Sequence, residues 1–242
     1  MSVTQPTGVR PRLLARVAGV FYLLTTLGAV FADAVVRGGV VVSNDPSKTA
    51  QNILVSEPLY RYGFGADLAA DIAYVIVTVL LFDLLRPVNR TLNLVAAFLS
   101  LAGCSVGAVS AIFHLAPLLI LKGTYLTAFT PPQLQALALL SLKLHSQAYN
   151  VSLVFFGCYC LVLGFLIFRS TFWPKAIGAL IAVAGVSLLV DSATSFLAPE
   201  LYAALPNAIG YVDLAGEAAL MLWLLVVGVD ELKWQAKVAS PG

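Results

Sequence analysis

The sequence predicts an all-α membrane protein, a bundle of about six transmembrane helices. Of its 242 residues, 60% are hydrophobic and only 11% are charged, and the mean hydropathy is +0.92. A water-soluble globule of this size needs more polar surface than this composition supplies. The apolar residues also fall into six runs, each near the roughly 20 residues that an α-helix needs to cross a bilayer. The composition therefore implies a lipid bilayer as the surrounding solvent.

The predicted spans follow one another along the whole chain. They cover residues 13–36, 60–85, 92–121, 149–168, 174–198 and 208–229. None of them alternates in polarity as a barrel strand would, so helices are expected. We expect one bundle domain over residues 1–242, with residues 1–12 and 230–242 as tails. Glycines inside the spans, such as Gly103, Gly107, Gly178, Gly185 and Gly216, favour close helix packing.

Three connecting segments carry helix-start signals. Asp45-Pro46 is typical of an N-cap followed by proline at the first helical position, and Ser56-Glu57-Pro58 repeats that pattern before the second span. Thr130 with Gln133 predicts a capping box. A helix from 131 to 168 would exceed the bilayer thickness, so we expect a break near residues 143–146 and an interfacial stretch over 133–142.

The basic residues predict the orientation. With the N-terminus in the cytoplasm, nine Lys and Arg residues fall on the inner side and five on the outer side, which favours both termini inside. The first span also resembles a signal peptide, with Ala32-Asp33-Ala34 in place of a cleavage site. An uncleaved first helix is preferred, because Asp33 then joins a wider pattern of polar residues.

That pattern consists of ionisable residues in the predicted outer halves of the spans, whereas Asp83 lies near an inner end. A carboxylate at such depth costs several kcal/mol if it faces lipid, so we expect these groups to point into the bundle. Together they predict an acidic cavity open to the outer side. The residues are Asp33, Asp67, Asp71, His114, His145, Asp191, Asp213 and Glu217.

Spacing places two pairs of these acids on single helix faces. Asp67 and Asp71 are four residues apart, as are Asp213 and Glu217. Like charges so placed repel one another. We expect one carboxyl of each pair to hold a proton unless a cation lies between them.

Some of these residues also have a purely structural interpretation. Asp33 with Arg37, like Glu57 with Arg61, has the i,i+4 spacing of a simple ion pair. For His114 the role of a hydrogen-bonded packing residue is favoured, whereas His145 fits a wetted interfacial residue as well as it fits a ligand. Asp71, Asp191 and Glu217 are deep and lack a local cation, so a site-forming role is favoured for them.

Several short runs carry a resemblance to a known family. They are Arg37-Gly38-Gly39, Thr49-Ala50-Gln51-Asn52-Ile53 with Ser56-Glu57, Leu84-Leu85-Arg86-Pro87-Val88-Asn89-Arg90, Val154-Phe155-Phe156-Gly157 and Gly216-Glu217 with Leu222-Trp223-Leu224-Leu225. Over residues 13–229 the chain resembles the bacterial membrane family "domain of unknown function 4386". The resemblance implies a bacterial cytoplasmic membrane and no particular activity. His145, Asp191 and Glu217 match polar positions of that family, and His114 does not clearly do so.

Two functions from different classes fit these residues. The first is binding or transport of a cation or a small cationic ligand in the acidic cavity. The second is an intramembrane metal-dependent hydrolase in which His114 and His145 hold zinc with nearby carboxylates. With only two histidines and no His-Glu-x-x-His spacing, the second is the weaker. The ligand-binding candidates are Asp67, Asp71, His145, Asn150, Asp191, Asp213 and Glu217.

Other classes receive less support. A structural or sensory role without catalysis remains open. Haem bound by the two histidines is supported only by their similar depth in the membrane. The basic residues are scattered singly, unlike the clustered surface of a nucleic-acid-binding protein. No Ser-His-Asp order or phosphate-binding glycine loop is present, and the three cysteines lie in apolar runs.

Overall fold

The computed structural model describes residues 10–204 and 208–239, and every regular element in these residues is helical. Residues 1–9 and 240–242 of the predicted tails lie outside the described residues. In chain order the helices are α1 (Pro11–Val30), a π-helical segment (Phe31–Arg37), α2 (Gly38–Val40), α3 (Pro46–Val55), α4 (Glu57–Leu85), α5 (Arg90–Lys122), α6 (Pro131–Arg169), α7 (Lys175–Leu197), α8 (Pro199–Ala204), α9 (Ala208–Val226) and α10 (Glu231–Ala239).

Within residues 10–204 and 208–239, five helical segments are long and apolar enough to cross a membrane. They are Pro11–Val40, Glu57–Leu85, Arg90–Lys122, Pro131–Arg169 and Lys175–Leu197. The sixth predicted span meets that criterion only when Tyr211–Val226 is joined to Glu231–Ala239, and these two helices meet at a bend of 98°. The predicted all-α, multi-pass fold class is thus confirmed, while the side that each terminus faces stays a prediction.

The helix surfaces carry the apolar groups that a bilayer requires. Large side chains such as Leu27, Ile72, Phe98 and Val109 are exposed to more than half of their full extent. A water-soluble protein rarely exposes so many large apolar side chains together, whereas lipid tails solvate them.

Two predicted helix starts are confirmed by their hydrogen bonds. The carboxylate of Asp45 accepts a bond from the Lys48 backbone N–H at 2.9 Å, with Pro46 in the first turn of α3. The side chain of Gln133 accepts from the Thr130 backbone N–H at 2.8 Å, which forms one half of the capping box before α6. Both contacts satisfy backbone or side-chain donors that the first helical turn leaves unpaired.

The predicted break near residues 143–146 is wrong, because α6 runs without interruption from Pro131 to Arg169. The stretch expected at the membrane interface is buried on one side only, and Gln133, Ala136 and Leu140 are exposed, so its interfacial position stays a prediction. Ala138 is 1% exposed and Leu142 is 5% exposed. Leu142 belongs to one hydrophobic cluster with Val36, Val40, Ile53, Tyr60 and Leu118. Burial of this helical turn supports a continuous helix longer than the bilayer alone requires.

The described residues form two compact units. Unit 1 contains residues 10–23, 75–101 and 154–239 except 205–207, and unit 2 contains residues 24–74 and 102–153. The prediction of a single bundle domain stays a prediction.

Unit 2 is held together where helices approach closely at glycines. A Cβ atom on Gly63 of α4 would lie 2.8 Å from Cγ1 of Val36 in the π-helical segment. A Cβ on Gly28 of α1 would lie 3.1 Å from the carbonyl oxygen of Ala66. The missing side chains let the end of the first span lie directly against α4.

Unit 1 uses glycines in the same way between α6 and α7. A Cβ on Gly164 would lie 2.6 Å from the Gly178 carbonyl oxygen, and one on Gly157 would lie 3.0 Å from that of Gly185. A Cβ on Gly216 of α9 would lie 2.7 Å from the carbonyl oxygen of Leu180 on α7. The small residues expected to allow close packing therefore do so at Gly178, Gly185 and Gly216.

Candidate functional site

The main polar cluster of unit 2 is built around Arg37, the last residue of the π-helical segment. Its Nη1 atom donates to Oδ2 of Asp67 at 2.5 Å and to Nδ1 of His114 at 3.0 Å. Its Nη2 atom donates to the other oxygen of Asp67 at 3.4 Å, and its Nε atom donates to Asp33 at 3.1 Å. One guanidinium therefore joins the first span to α4 and α5.

The neighbours of His114 determine its tautomer. This side chain is completely buried, and its ring stacks on that of Tyr60 with centroids 4.4 Å apart. Arginine only donates hydrogen bonds, so Nδ1 of His114 must be the acceptor. Nε2 then carries the proton and donates to the carbonyl oxygen of Tyr60 at 3.2 Å. The imidazole is thus neutral, with its lone pair directed at Arg37 and Asp67.

His145 of α6 has the complementary arrangement. Its Nδ1 atom lies 2.9 Å from the carbonyl oxygen of Ser110, which only accepts, so Nδ1 carries a proton. In the neutral form of the ring, Nε2 then carries the lone pair. The ring is 6% exposed and meets that of His114 edge-on at a centroid distance of 5.8 Å. Each histidine therefore donates one N–H to a backbone carbonyl and keeps the other nitrogen as an acceptor.

Asp67, His114 and His145 together have the donor set of a metal site. One ligand atom from each lies within 4.8 Å of the others. Tetrahedral zinc, with bonds of about 2.0 Å, needs its ligand atoms roughly 3.3 Å apart, so small side-chain movements would suffice. Nη1 of Arg37 is bonded to two of the three residues and thus supplies the positive charge at this point.

Asp71 lies one helical turn beyond Asp67 on α4, as the spacing predicts, and faces α5. A Cβ atom on Gly107 would lie 3.1 Å from Oδ1 of Asp71, so the glycine leaves room for this carboxyl. The two α4 carboxyl groups are close enough to interact electrostatically. Asn150, the other candidate of unit 2, is half-buried on α6.

The two ion pairs interpreted as structural are present. Arg37 pairs with Asp33, whose side chain is 79% exposed, and Arg61 pairs with Glu57 at 2.9 Å. Glu57 is also bound by Lys122 of α5 at 2.6 Å. The Asp33 prediction was incomplete, since Arg37 also reaches Asp67.

The remaining acidic candidates lie in unit 1. Asp191 is half-buried on α7, and Asp213 and Glu217 are half-buried on α9. Asp213 interacts electrostatically with both of the others, and the Tyr22 side chain is hydrogen-bonded to Glu217. Asp213 thus lies near each of the other two acids, and the role of all three as ligands stays a prediction.

One cavity of about 580 Å³ lies in unit 1, away from the predicted ligands. Its walls include Arg12, Trp173, Trp223 and Lys233. The indole N–H groups of Trp173 and Trp223 both donate to the Gly228 carbonyl oxygen, at 2.9 and 3.1 Å. None of the candidate ligands lines this cavity, so the outward-facing acidic cavity stays a prediction.

Sequence reasoning missed the most important contact of unit 2, the pairing of Arg37 with Asp67. These residues are 30 positions apart, and Arg37 already had a local partner in Asp33. The available signal was the deep position of Asp67 on the neighbouring span, because a buried carboxylate there needs a cation.

The comparisons with known proteins agree with the resemblance found in the sequence. A protein from Archaeoglobus fulgidus described as "Uncharacterized protein" is 30% identical over 154 residues, which are 64% of this chain and 76% of that protein. No solved structure matches the chain significantly. The family model described as "Domain of unknown function (DUF4386)" matches residues 17–228. The chain therefore belongs to the DUF4386 family.

Proposed function

We propose that this protein binds a divalent transition-metal ion, of the zinc class, inside the outer half of a bacterial cytoplasmic membrane. The ligands are Asp67, His114 and His145. The observation that carries the proposal is their convergence from three helices, α4, α5 and α6, with ligand atoms within 4.8 Å of one another. Two imidazoles and one carboxylate are a ligand set that zinc commonly takes in proteins.

The hydrogen bonds around the histidines support this assignment. A metal-binding histidine usually donates its second ring N–H to a carbonyl or carboxylate, which fixes the tautomer and the ring orientation. His114 donates such a bond to the carbonyl oxygen of Tyr60, and His145 donates one to the carbonyl oxygen of Ser110. The same two rings are buried, so their rotation is restricted before any ion arrives.

The local charge also suits a dication. Asp67 and Asp71 together offer two carboxyl groups on one face of α4, and they interact electrostatically. A divalent ion bound to Asp67 would bring more positive charge to these carboxyl groups than the Arg37 guanidinium now supplies. Three protein ligands leave a fourth position for water, an arrangement that serves either the release of a transported ion or catalysis. Binding is the step that both activities share.

Metal content of the purified protein tests the proposal. The protein is prepared in mild detergent without a polyhistidine tag, since the chain itself has only two histidines. After equilibration with Zn²⁺ and removal of free metal, we expect stoichiometric zinc in the wild type. Asp67→Asn and His145→Gln should both lose it.

Glu57→Gln is the matched control. Like Asp67, Glu57 is an ion-paired carboxylate of α4, but it lies outside the metal-competent group. It should retain stoichiometric zinc. Equal zinc content in all four proteins, or no zinc in a folded wild type, would overturn the proposal.

A further inference from the structure

We propose that the Arg37 guanidinium is a built-in competitor for this site: a metal ion binds by displacing it from Asp67 and His114, and Arg37 then pairs with Asp33 alone. This inference rests on the proposed function and adds a regulation of the same site. Metal affinity would thereby be set by an arginine that is not a ligand.

The geometry places the guanidinium where an ion would bind. Nη1 of Arg37 contacts Oδ2 of Asp67 and Nδ1 of His114, and these are the lone pairs that a metal would take. A guanidinium cation and a dication in contact repel strongly in a site shielded from water. Nδ1 of His114 has a single lone pair, so it cannot bind the ion and accept from Arg37 at the same time.

Arg37 already has a second partner, Asp33, which lies outside the metal-binding group. Its Nε atom donates to Asp33, and the two residues share one face of the π-helical segment. The Arg37 side chain is 15% exposed, whereas that of Asp33 is 79% exposed. Rotation of the side-chain torsions alone would move the Nη atoms outward while the Asp33 pairing persists.

Arg37 ends a π-helical turn, a wide form of helix that is rare in proteins. The π-helical turn is held by the Gly38 backbone N–H, which donates to the Asp33 carbonyl oxygen five residues earlier. Such wide turns are rare and occur often at functional sites.

Competition of this kind lowers the apparent affinity by the fraction of molecules whose site is free of Arg37. Removal of the arginine should therefore tighten metal binding. The experiment is a titration of the tag-free protein in detergent with Co²⁺, followed through the visible absorption bands that tetrahedral cobalt gives. The proteins compared are wild type, Arg37→Gln and Arg61→Gln.

We expect Arg37→Gln to bind Co²⁺ about 10- to 100-fold more tightly than the wild type, as an internal competitor predicts. Arg61→Gln should match the wild type, because Arg61 pairs with an α4 carboxylate outside the site. Equal affinity of Arg37→Gln and wild type, or weaker binding by Arg37→Gln, overturns the competition while the metal site stands. Absence of binding in every protein overturns the proposed function itself.

A second measurement uses the wild type alone and does not depend on the folding of a variant. A dicarbonyl reagent modifies exposed arginines, and peptide mass spectrometry reads each site separately. Zn²⁺ should increase modification of Arg37 and leave Arg61, which is already 55% exposed, unchanged. Unchanged or reduced modification of Arg37 at saturating Zn²⁺ contradicts its displacement.

Discussion

Arg37 and Asp67 form an ion pair between two helices, and both side chains are largely buried, at 15% and 16% exposed. Two further contacts of Arg37, with Asp33 and His114, leave its guanidinium almost fully hydrogen-bonded. Because charges buried away from water are costly when unpaired, the contribution of each partner depends on the presence of the other.

Arg37→Gln should therefore destabilise the metal-free protein by about 3 kcal/mol, as expected when one partner of a buried pair is removed. The physical reason is that Asp67 is left without a compensating charge. Thermal unfolding in detergent, monitored by circular dichroism, measures the loss. Arg61→Gln, which breaks an exposed pair, should cost less than about 1 kcal/mol.

The double variant Arg37→Gln/Asp67→Asn should recover part of that loss. Neutral amides at both positions leave no buried charge, so the double variant should be more stable than the sum of the single effects predicts. Strict additivity of the two substitutions would show that the residues do not depend on each other.

The sequence was sufficient for the fold class and for the ends of most helices, because apolar run length and capping residues are local signals. Asp45 and Gln133 cap as their spacing predicts. The continuity of α6 was not predictable in this way. It accompanies burial of Leu142 by residues distant in the chain, such as Val36 and Ile53.

Gly63→Ala should destabilise unit 2, since the new methyl group would lie 2.8 Å from Cγ1 of Val36. Val36 is β-branched and fully buried, so the contact can be relieved only by moving the π-helical segment away from α4. We expect a loss of about 1–3 kcal/mol, typical of an overpacked core. Thermal unfolding and cobalt affinity should both change, because Arg37 follows Val36 directly.

Gly65→Ala is the matched control on the same helix. A Cβ atom there meets nothing within 4 Å, and alanine favours helix over glycine, so stability should stay equal or rise slightly. If the two alanine variants behave alike, the close approach at Gly63 is not required for the fold.

Gly107→Ala should push the Asp71 carboxyl, whose Oδ1 atom would lie 3.1 Å from the new methyl group. A side-chain end gives way more easily than backbone, so the expected loss is only about 1 kcal/mol. The same substitution in an Asp71→Ala background should cost less, because the crowded atom is gone. A double-mutant cycle with thermal unfolding measures this coupling, and a coupling of zero would contradict the contact.

Some features of the candidate site can be predicted from the sequence, and others require the packed structure. The i,i+4 spacing of Asp67 and Asp71 is readable from the sequence, as is their depth. The convergence of Asp67 with His114 and His145 is not, because it requires the rotation of three helices about their axes. That rotation follows from packing at positions such as Gly28 and Gly63. A hydropathy pattern does not distinguish these glycines from others in the spans.

Gly228→Ala should destabilise the turn between α9 and α10 by about 1–2 kcal/mol, the cost of placing a residue with a Cβ atom in the left-handed region. Gly228 has φ of 78°, and a Cβ there would also lie 3.2 Å from Cγ of Arg12. Its carbonyl oxygen accepts from the indoles of Trp173 and Trp223, so a shifted turn should change tryptophan emission as well as the unfolding temperature. Gly39→Ala, at an uncrowded glycine with no positive φ, provides the comparison and should leave both readouts unchanged. A Gly228→Ala protein with wild-type emission and stability would mean that the turn accepts a side chain without strain.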